Sequence, residues 1–594
     1  MIDPKLRLKW RRRIRKSKKQ VAEAGFGADV RLERYLLRRV SRLVTVRRFV
    51  FTWITLLILV MVGLFVQSRQ LIPYYQEVRA IAGGTFREGI LGSFTNTNPL
   101  YASGSVDGAV SKLVFSSLFK YDQFNTLAGD LATHFEVSDD GTVYTVYLRD
   151  DVYWHDGEAF TAKDVVFTYQ TIANPDARSP LFSSWRDTKV EAIDDYMVRF
   201  TIPTPFVAFS LALTNGIVPE HVLGQEPVSQ LRSSTFNSVN PVGTGPFEWD
   251  TLEVVGLSQD DREERIALDA YEDYHDGRAK LDRFVLRTFR SEDRLVSSFV
   301  DRDVDAVAGL DAISHELLAD TEYNQYVTPL TGQVGVFFKT TNPVFAEKVV
   351  RQALVQSIDR RQVLESIDGP VVASDSPLLP IHQGYNKKLT QLPFDKEQAV
   401  KMLEDADWKI GDEGVRFKDG QELSFSLIAI NSAEARAATQ SLQQQWDDIG
   451  VQVEVTLQSE NDIRSTIANH DFMALMHGIS IGTDPDVFAF WHSSQADILA
   501  EDRLNFSDYN SSVADDALES GRTRSGDELR SVKYEPFLEA WREDSPSLML
   551  YQPRFIYLSH QEIAGFEPII MNASTDRMYS ADEWMTRRQR VDKL

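Results

Sequence analysis

The sequence predicts an α/β body of at least two lobes, preceded by one transmembrane helix. Three observations carry this. The chain has 594 residues, 43% of them hydrophobic, and a single core stops growing near 250–300 residues. One stretch, 49–68, is apolar and uncharged. Beyond it, strand patterns alternate with helical ones, and residues 423–457 read as one strand–helix–strand unit.

The apolar stretch comes first in the chain. Twenty helical residues rise about 30 Å, the thickness of a bilayer's hydrocarbon core. Phe49 to Val66 holds no charge. A soluble helix rarely runs this long without a polar face. A cleavable signal peptide would need a 48-residue leading region and a small-residue cleavage pattern, which Gln67 to Gln70 lack. An uncleaved anchor is the reading adopted. Residues 1–48 hold 17 Lys/Arg against 4 Asp/Glu, and the remainder 47 against 83. Arg47 and Arg48 abut the span, so the basic side is expected in the cytoplasm and the acidic body outside. The cluster KWRRRIRKSKK, 9–19, suits anionic headgroups, and 31–50 has the pattern of an interfacial helix. An acidic body repels phosphate backbones, which excludes nucleic acid as its main partner.

The body then reads element by element. A strand and polar loop follow Gly83, then a helix over Val110 to Phe119. Strands are expected at 143–148 and 196–203. Thr161 with Asp164 forms a capping-box start for a helix. NPVGTGPFEW, 240–249, is a backbone bend; Glu248 stands where a dinucleotide loop needs glycine. A single helix is expected over 345–365, and Asp395 caps another. A further strand covers 471–477.

Catalytic and metal chemistry find little support. There are no cysteines. His315–Glu316 lacks the second histidine of a zinc-protease helix, and His470 and His477 are poorly spaced for a metal. Asp301, Asp303 and Asp305 lack the glycine of a calcium loop. His155–Asp156–Gly157 reads as a structural turn, and Trp154 as a packing residue. No cofactor is expected.

Long stretches then resemble one family. YTVYLRDDVYWHDGEAFTAKDVVFTYQTI, 144–172, is similar to the signature of bacterial extracellular solute-binding proteins of family 5, the oligopeptide-, dipeptide- and nickel-binding components of ABC importers. GTGPF at 243–247, YEDYHDGRAKLDRFVLR at 271–287, VRQALVQSIDR at 350–360, PFDKEQAVKMLEDADW at 393–408 and DIGVQVEV at 448–455 extend the resemblance over 83–575. It implies a periplasmic-binding-protein type II-like fold, in the large three-subdomain variant. The expected layout is a cytoplasmic segment 1–48, a span 49–68 and a stalk 69–82. Lobe I then takes 83–334, lobe II 335–552, and 553–594 returns to lobe I.

The resemblance implies binding without turnover: a peptide or similar polar solute is engulfed between lobes and passed to permease subunits driven by a cytoplasmic ATPase. The body is expected to be monomeric. Two other readings stay open: a sensor signalling through its anchor, and a binder of nickel chelates or other non-peptide solutes. Cleft residues implied by the resemblance are Asn98, Tyr101 and Trp185 from lobe I, with Gly478, Ile479, Ser480, Ile481, Thr483, Asp484, Asp486 and Trp491 from lobe II. In peptide-binding relatives an aspartate before the D-P turn pairs with the peptide amine. Here Ile481 takes that place. Either Asp484 or Asp486 substitutes for it, or the ligand has no free amine there.

Overall fold

The computed structural model describes residues 47–256, 258, 262–310, 323–368, 371–498, 500, 503–523 and 527–592. The expectations for 1–46, including the basic cluster and most of the interfacial helix, and for His315 and Glu316 lie outside these residues. The described chain forms two units. One ends at Arg79 and regains the last residues from Arg588 on; the other is Ala80–Arg587.

The first unit is built on the helix Arg47–Tyr75. Within it, Phe49–Arg69 is long and apolar enough to cross a membrane. Its large apolar side chains, from Phe49 to Val66, are exposed on every face. A helix apolar all round and covered by nothing is the pattern of a span. The strand Gln76–Ile81 follows and pairs with the strand Arg587–Asp592.

The second unit is bilobed. Lobe I carries a seven-stranded sheet in the order Asn324–Pro329, Arg554–Ser559, Ala306–Ala308, Thr85–Leu91, Arg283–Phe289, Glu263–Ala270, Phe247–Val255. Thr85–Leu91 runs parallel to both its neighbours. A four-stranded antiparallel sheet adds Ala132–Val137, Val143–Leu148, Met197–Thr201 and Lys189–Asp194. Lobe II carries a six-stranded sheet in the order Val372–Ala373, Ser547–Gln552, Gly332–Phe338, Ala474–Ser480, Ser424–Ile430, Gln452–Gln458. Alternation along Gly332–Phe338 sends Val336 and Phe338 into one core and Phe337 into another, so both faces of this sheet are covered. The strand–helix–strand unit is present: Ser424–Ile430 and Gln452–Gln458 pair in parallel around the helix Ala433–Asp447.

The chain crosses between the two large sheets twice, at 330–331 and at Pro553. The crossings are stitched together, the Leu330 N–H donating to the Pro553 carbonyl at 2.9 Å.

Local signals explain where the sequence reading holds. The Asp164 carboxylate accepts the Thr161 N–H at 2.9 Å and starts the helix Ala162–Ile172. Asp395 accepts the Gln398 N–H at 2.9 Å. The 240–249 bend is steric: a Cβ at Gly243 would lie 1.8 Å from the Val114 carbonyl oxygen, and one at Gly245 2.5 Å from that of Leu113. Three elements differ. The strand expected over 471–477 is Ala474–Ser480. The helix expected over 110–119 is Ser105–Val114, because Phe115 turns extended and Ser117 is held by Asp130 at 2.9 Å. The helix expected over 345–365 is three short ones, Pro343–Ala346, Lys348–Gln356 and Arg360–Glu365. Asp359 restarts the last by accepting the Arg361 N–H at 3.1 Å.

Candidate functional site

A cavity of about 310 Å³ opens in lobe I. One wall is a face of the helix Ser105–Val114, on which Ser105, Gly108 and Lys112 recur at helical spacing. Another is Thr214–Gly216, and a third comes from the C-terminal return, Ala573–Thr575 with Tyr579. Gly108 brings the helix against that return, since a Cβ there would meet Thr575 Cγ2 at 3.0 Å. Lys112 is ion-paired with Asp576, and its ammonium lies 3.9 Å from the Tyr579 ring centroid. Burial works against the Lys112 charge, but Asp576 and Tyr579 outweigh it and hold the ammonium protonated well above its usual range.

Two neighbours of this cavity's walls approach lobe II. Tyr579 packs edge-on to Tyr121, with ring centroids 6.3 Å apart, and the Thr483 side chain of lobe II lies near the Tyr121 hydroxyl. Burial pushes that hydroxyl up to about 12. The other neighbour is Phe206, beside which the turn Val207–Thr214 begins. Arg522 of lobe II places its guanidinium 5.0 Å from the Phe206 centroid and 4.2 Å from that of Phe488. The crossings lie between. Thr331 Oγ1 donates to Asn572 Oδ1 at 2.7 Å, and the Thr331 carbonyl accepts the Ile481 N–H at 2.8 Å.

The lobe II wall follows strand alternation. On Ala474–Ser480, Ile479 is buried in the lobe core while Gly478 and Ser480 are exposed. Ile481 is half-buried against the same core. Thr483 lies near the Tyr121 hydroxyl. Neither carboxylate of the D-P-D turn is free. Asp484 accepts two hydrogen bonds from Arg530, at 2.8 and 2.7 Å. Asp486 pairs with Arg522 at 3.2 Å. Burial, with Asp484 adding like charge, raises the Asp486 carboxyl above its usual range, and Arg522 only partly offsets this.

Several expected cleft residues are buried in this structure. Asn98 is fully buried, its amide donating to Asn237 Oδ1 at 3.0 Å and its oxygen accepting the Leu100 N–H at 3.0 Å, so it ties two loops together. Trp185 packs in the lobe I core against Tyr169, centroids 4.1 Å apart. Trp491 packs in lobe II against Phe337 and Trp541. Tyr101 and Ile479 are buried too. Trp154 is the packing residue expected. The turn at 155 is structural as expected: His155 Nδ1 accepts the Gly243 N–H at 3.3 Å and Nε2 donates to the Gly245 carbonyl at 3.0 Å. Lys112, Tyr121, Arg522 and Tyr579 were not among the expected residues. Their partners lie too far along the chain for spacing to show them; Lys112 and Asp576 are 464 positions apart.

Metal-ligating groups do not gather at this cavity. Among the described residues, the one candidate group is Asp130, His275 and Asp276. Lys120 already serves it, 3.1 Å from Asp276 and 3.8 Å from Asp130. His477 stands edge-on to Phe506, centroids 5.5 Å apart, and burial lowers its basicity.

Residues 126–498 match the family described as bacterial extracellular solute-binding proteins, family 5 Middle. The chain is 27% identical over 513 residues to the oligopeptide-binding protein AppA of Bacillus subtilis (strain 168), spanning 84% of this chain and 91% of that protein. The solved structure of Bacillus subtilis AppA in complex with a nonapeptide has a TM-score of 0.69 at 26% identity, covering 86% of this chain and all of that one. NikZ from Campylobacter jejuni in complex with Ni(L-His) has a TM-score of 0.70 at 27% identity, covering 84% of this chain and 99% of that one. The match over more than half the length and the shared bilobed α/β fold give one conclusion: the chain belongs to the family 5 bacterial extracellular solute-binding proteins, and it binds a solute for an ABC transporter instead of transforming it.

Proposed function

We propose that this chain is the membrane-anchored substrate-binding protein of an ABC importer, capturing oligopeptides or a related polar solute between its lobes and delivering them to a permease. The helix around 49–68 tethers it, with the N-terminus in the cytoplasm and the body outside, following the arginines at 47 and 48. One observation carries the reading. The lobes meet through two adjacent crossings and side-chain contacts such as Arg522 with Phe206, and a cavity walled by a serine-bearing helix face lies in lobe I. Such contacts are weak enough to break and re-form, which hinge closure needs. Serine hydroxyls and backbone groups along the helix Ser105–Val114 supply donors and acceptors for a peptide backbone. With Asp484 and Asp486 both held by arginines, the solute's amine has no free carboxylate to meet on the D-P-D turn.

The test is native mass spectrometry of the full chain from detergent micelles, to identify a co-purified solute, followed by small-angle scattering with and without it. A captured small molecule, released unchanged, with compaction on binding, is the expected outcome. A body of one shape under every solute tried, or one that altered its ligand chemically, would refute the proposal.

A further inference from the structure

Lobe I holds a second cavity, of about 380 Å³, that shares Tyr579 with the first as a wall. It lies between the hairpin of Phe119–Tyr121 and Leu127–Gly129 and the returning segment 565–583. Five carboxylates line it against two cations. Both cations are already committed. Arg577 is fully buried against Glu88, which also accepts the Tyr557 hydroxyl at 2.6 Å. Lys120 is shared by Asp276 and Asp130. Asp576 is neutralised by Lys112.

Asp582 remains. It is 9% exposed, and among the described residues no ion pair or side-chain hydrogen bond reaches its carboxylate. Its own backbone is fixed, the carbonyl accepting the Lys280 N–H at 2.7 Å. Burial raises the carboxyl above its usual range, and Lys120 opposes this only in part. A buried carboxylate without a partner is costly, and a cation entering the cavity recovers that cost.

We propose that this cavity binds an organic cation, a primary ammonium or guanidinium group, with Asp582 as its counter-charge. The rings of Tyr121, Phe566 and Tyr579 line the same space and present faces or edges to such a group. A bare divalent metal fits poorly. It wants about six or more oxygen ligands, and one free buried carboxylate among aromatic rings does not supply them. The location gives the site a consequence. Tyr121 lines the cavity with Thr483 of lobe II near its hydroxyl, while Asn125, also in the lining, pairs with Asn572, the partner of Thr331 at the crossing, at 2.9 Å. An occupant therefore sits beside the contacts that join the lobes. The inference concerns a cavity other than the one offered to the interlobe solute, and the two have Tyr579 in common.

Titration calorimetry of the full chain in detergent micelles with agmatine tests it, with magnesium chloride and the neutral amide butanamide as comparison probes. Agmatine is expected to bind saturably and to raise the melting temperature. Asp582→Asn should weaken it at least tenfold while melting no lower than wild type in the absence of probe. Glu567→Gln, on the exposed rim, should change it less than twofold. If Asp582→Asn does not fold, Tyr121→Leu gives the second readout, with agmatine weakened at least threefold. Absence of agmatine binding, equal binding by Asp582→Asn, an unchanged affinity in Tyr121→Leu, or displacement of agmatine by magnesium or butanamide would overturn the proposal.

Discussion

Arg522 is the residue whose loss should separate lobe closure from folding. Its guanidinium faces Phe488 on its own lobe and Phe206 on the other, at 4.2 and 5.0 Å, and only the second contact crosses the cleft. The side chain is 29% exposed, which puts the cross-lobe cation–π contact near the middle of its range, at about 1 kcal/mol. The pair with Asp486 lies within lobe II and persists whether the lobes are open or shut, so it does not count toward closure. Removing about 1 kcal/mol from the closed state lowers its population roughly fivefold when the open state dominates, and apparent solute affinity falls by the same factor. Arg522→Ala alone also strips Asp486 of its partner, so the clean measurement is a double-mutant cycle with Phe206→Ala. Calorimetry with the co-purified solute should give a coupling of about 1 kcal/mol between the two positions. A coupling indistinguishable from zero would refute the reasoning, as would single variants that match wild type in affinity.

Other perturbations read other parts of the molecule. Acetylating the amine of a bound peptide should change its affinity less than about threefold, because Asp484 and Asp486 are each held by an arginine; a loss of a hundredfold in calorimetry would place a free acid at the amine. His155 is lowered by burial to about 4 from 6.5. The unfolded chain therefore binds more protons between those values, and this stabilisation, of about 3 kcal/mol, is present above pH 6.5 and lost as pH falls toward 4. In urea titrations across that window, His155→Gln should flatten the acid limb of the stability curve. Arg577→Met leaves the buried Glu88 uncompensated and should cost about 3–5 kcal/mol, most of it recovered in the double variant with Glu88→Gln; an unchanged denaturation midpoint in the single variant would contradict the pairing. Gly243→Ala should prevent native folding, since its Cβ would collide with the Val114 carbonyl oxygen; retained near-ultraviolet circular dichroism would argue otherwise.

How much of this was legible in the sequence depends on how far each signal travels along the chain. The strand Val143–Leu148, the parallel pair around Ala433–Asp447, and the caps at Thr161 and Asp395 rest on residues within a few positions of each other, and they stand where the pattern puts them. The glycines of 243–245 were readable as a bend, although only the packed fold shows that carbonyls of the helix before Phe115 are what they admit. The helix Ser105–Val114 was misplaced by about a turn because its apolar stripe continues into Phe115 and Leu118, which are buried for a different reason: they lie in the extended chain stitched to Asp130. Likewise the stripe across 345–365 is real, but Asp359 competes for backbone N–H groups and divides it. Periodicity reports which side chains are buried, not whether the backbone between them stays helical.

The site was less legible, and the carboxylates show why. Asp484 and Asp486 stood out because they share a short turn, yet whether an acid is available to a ligand depends on cations elsewhere. Arg530 lies 46 positions from Asp484, on a helix that nothing in the turn announces. Asp582 is the reverse case. It sits in the stretch SADEW, and only the fold shows that Lys120, the cation whose charge acts on it, already lies within ion-pair distance of Asp130 and Asp276. In a chain with 87 Asp/Glu and 64 Lys/Arg, surplus acid is guaranteed, but most of it is solvated and bears no ligand. What singles out one carboxylate is burial without a partner, a property of three-dimensional pairing. The aromatic residues follow the same rule. Trp185 and Trp491 are large enough to form a binding wall but are enclosed by other rings, whereas Tyr121 and Tyr579 are left at a boundary because hydroxyl and ring have different neighbours. A tyrosine at such a boundary keeps a ring and a hydroxyl open to different neighbours, which an enclosed tryptophan does not.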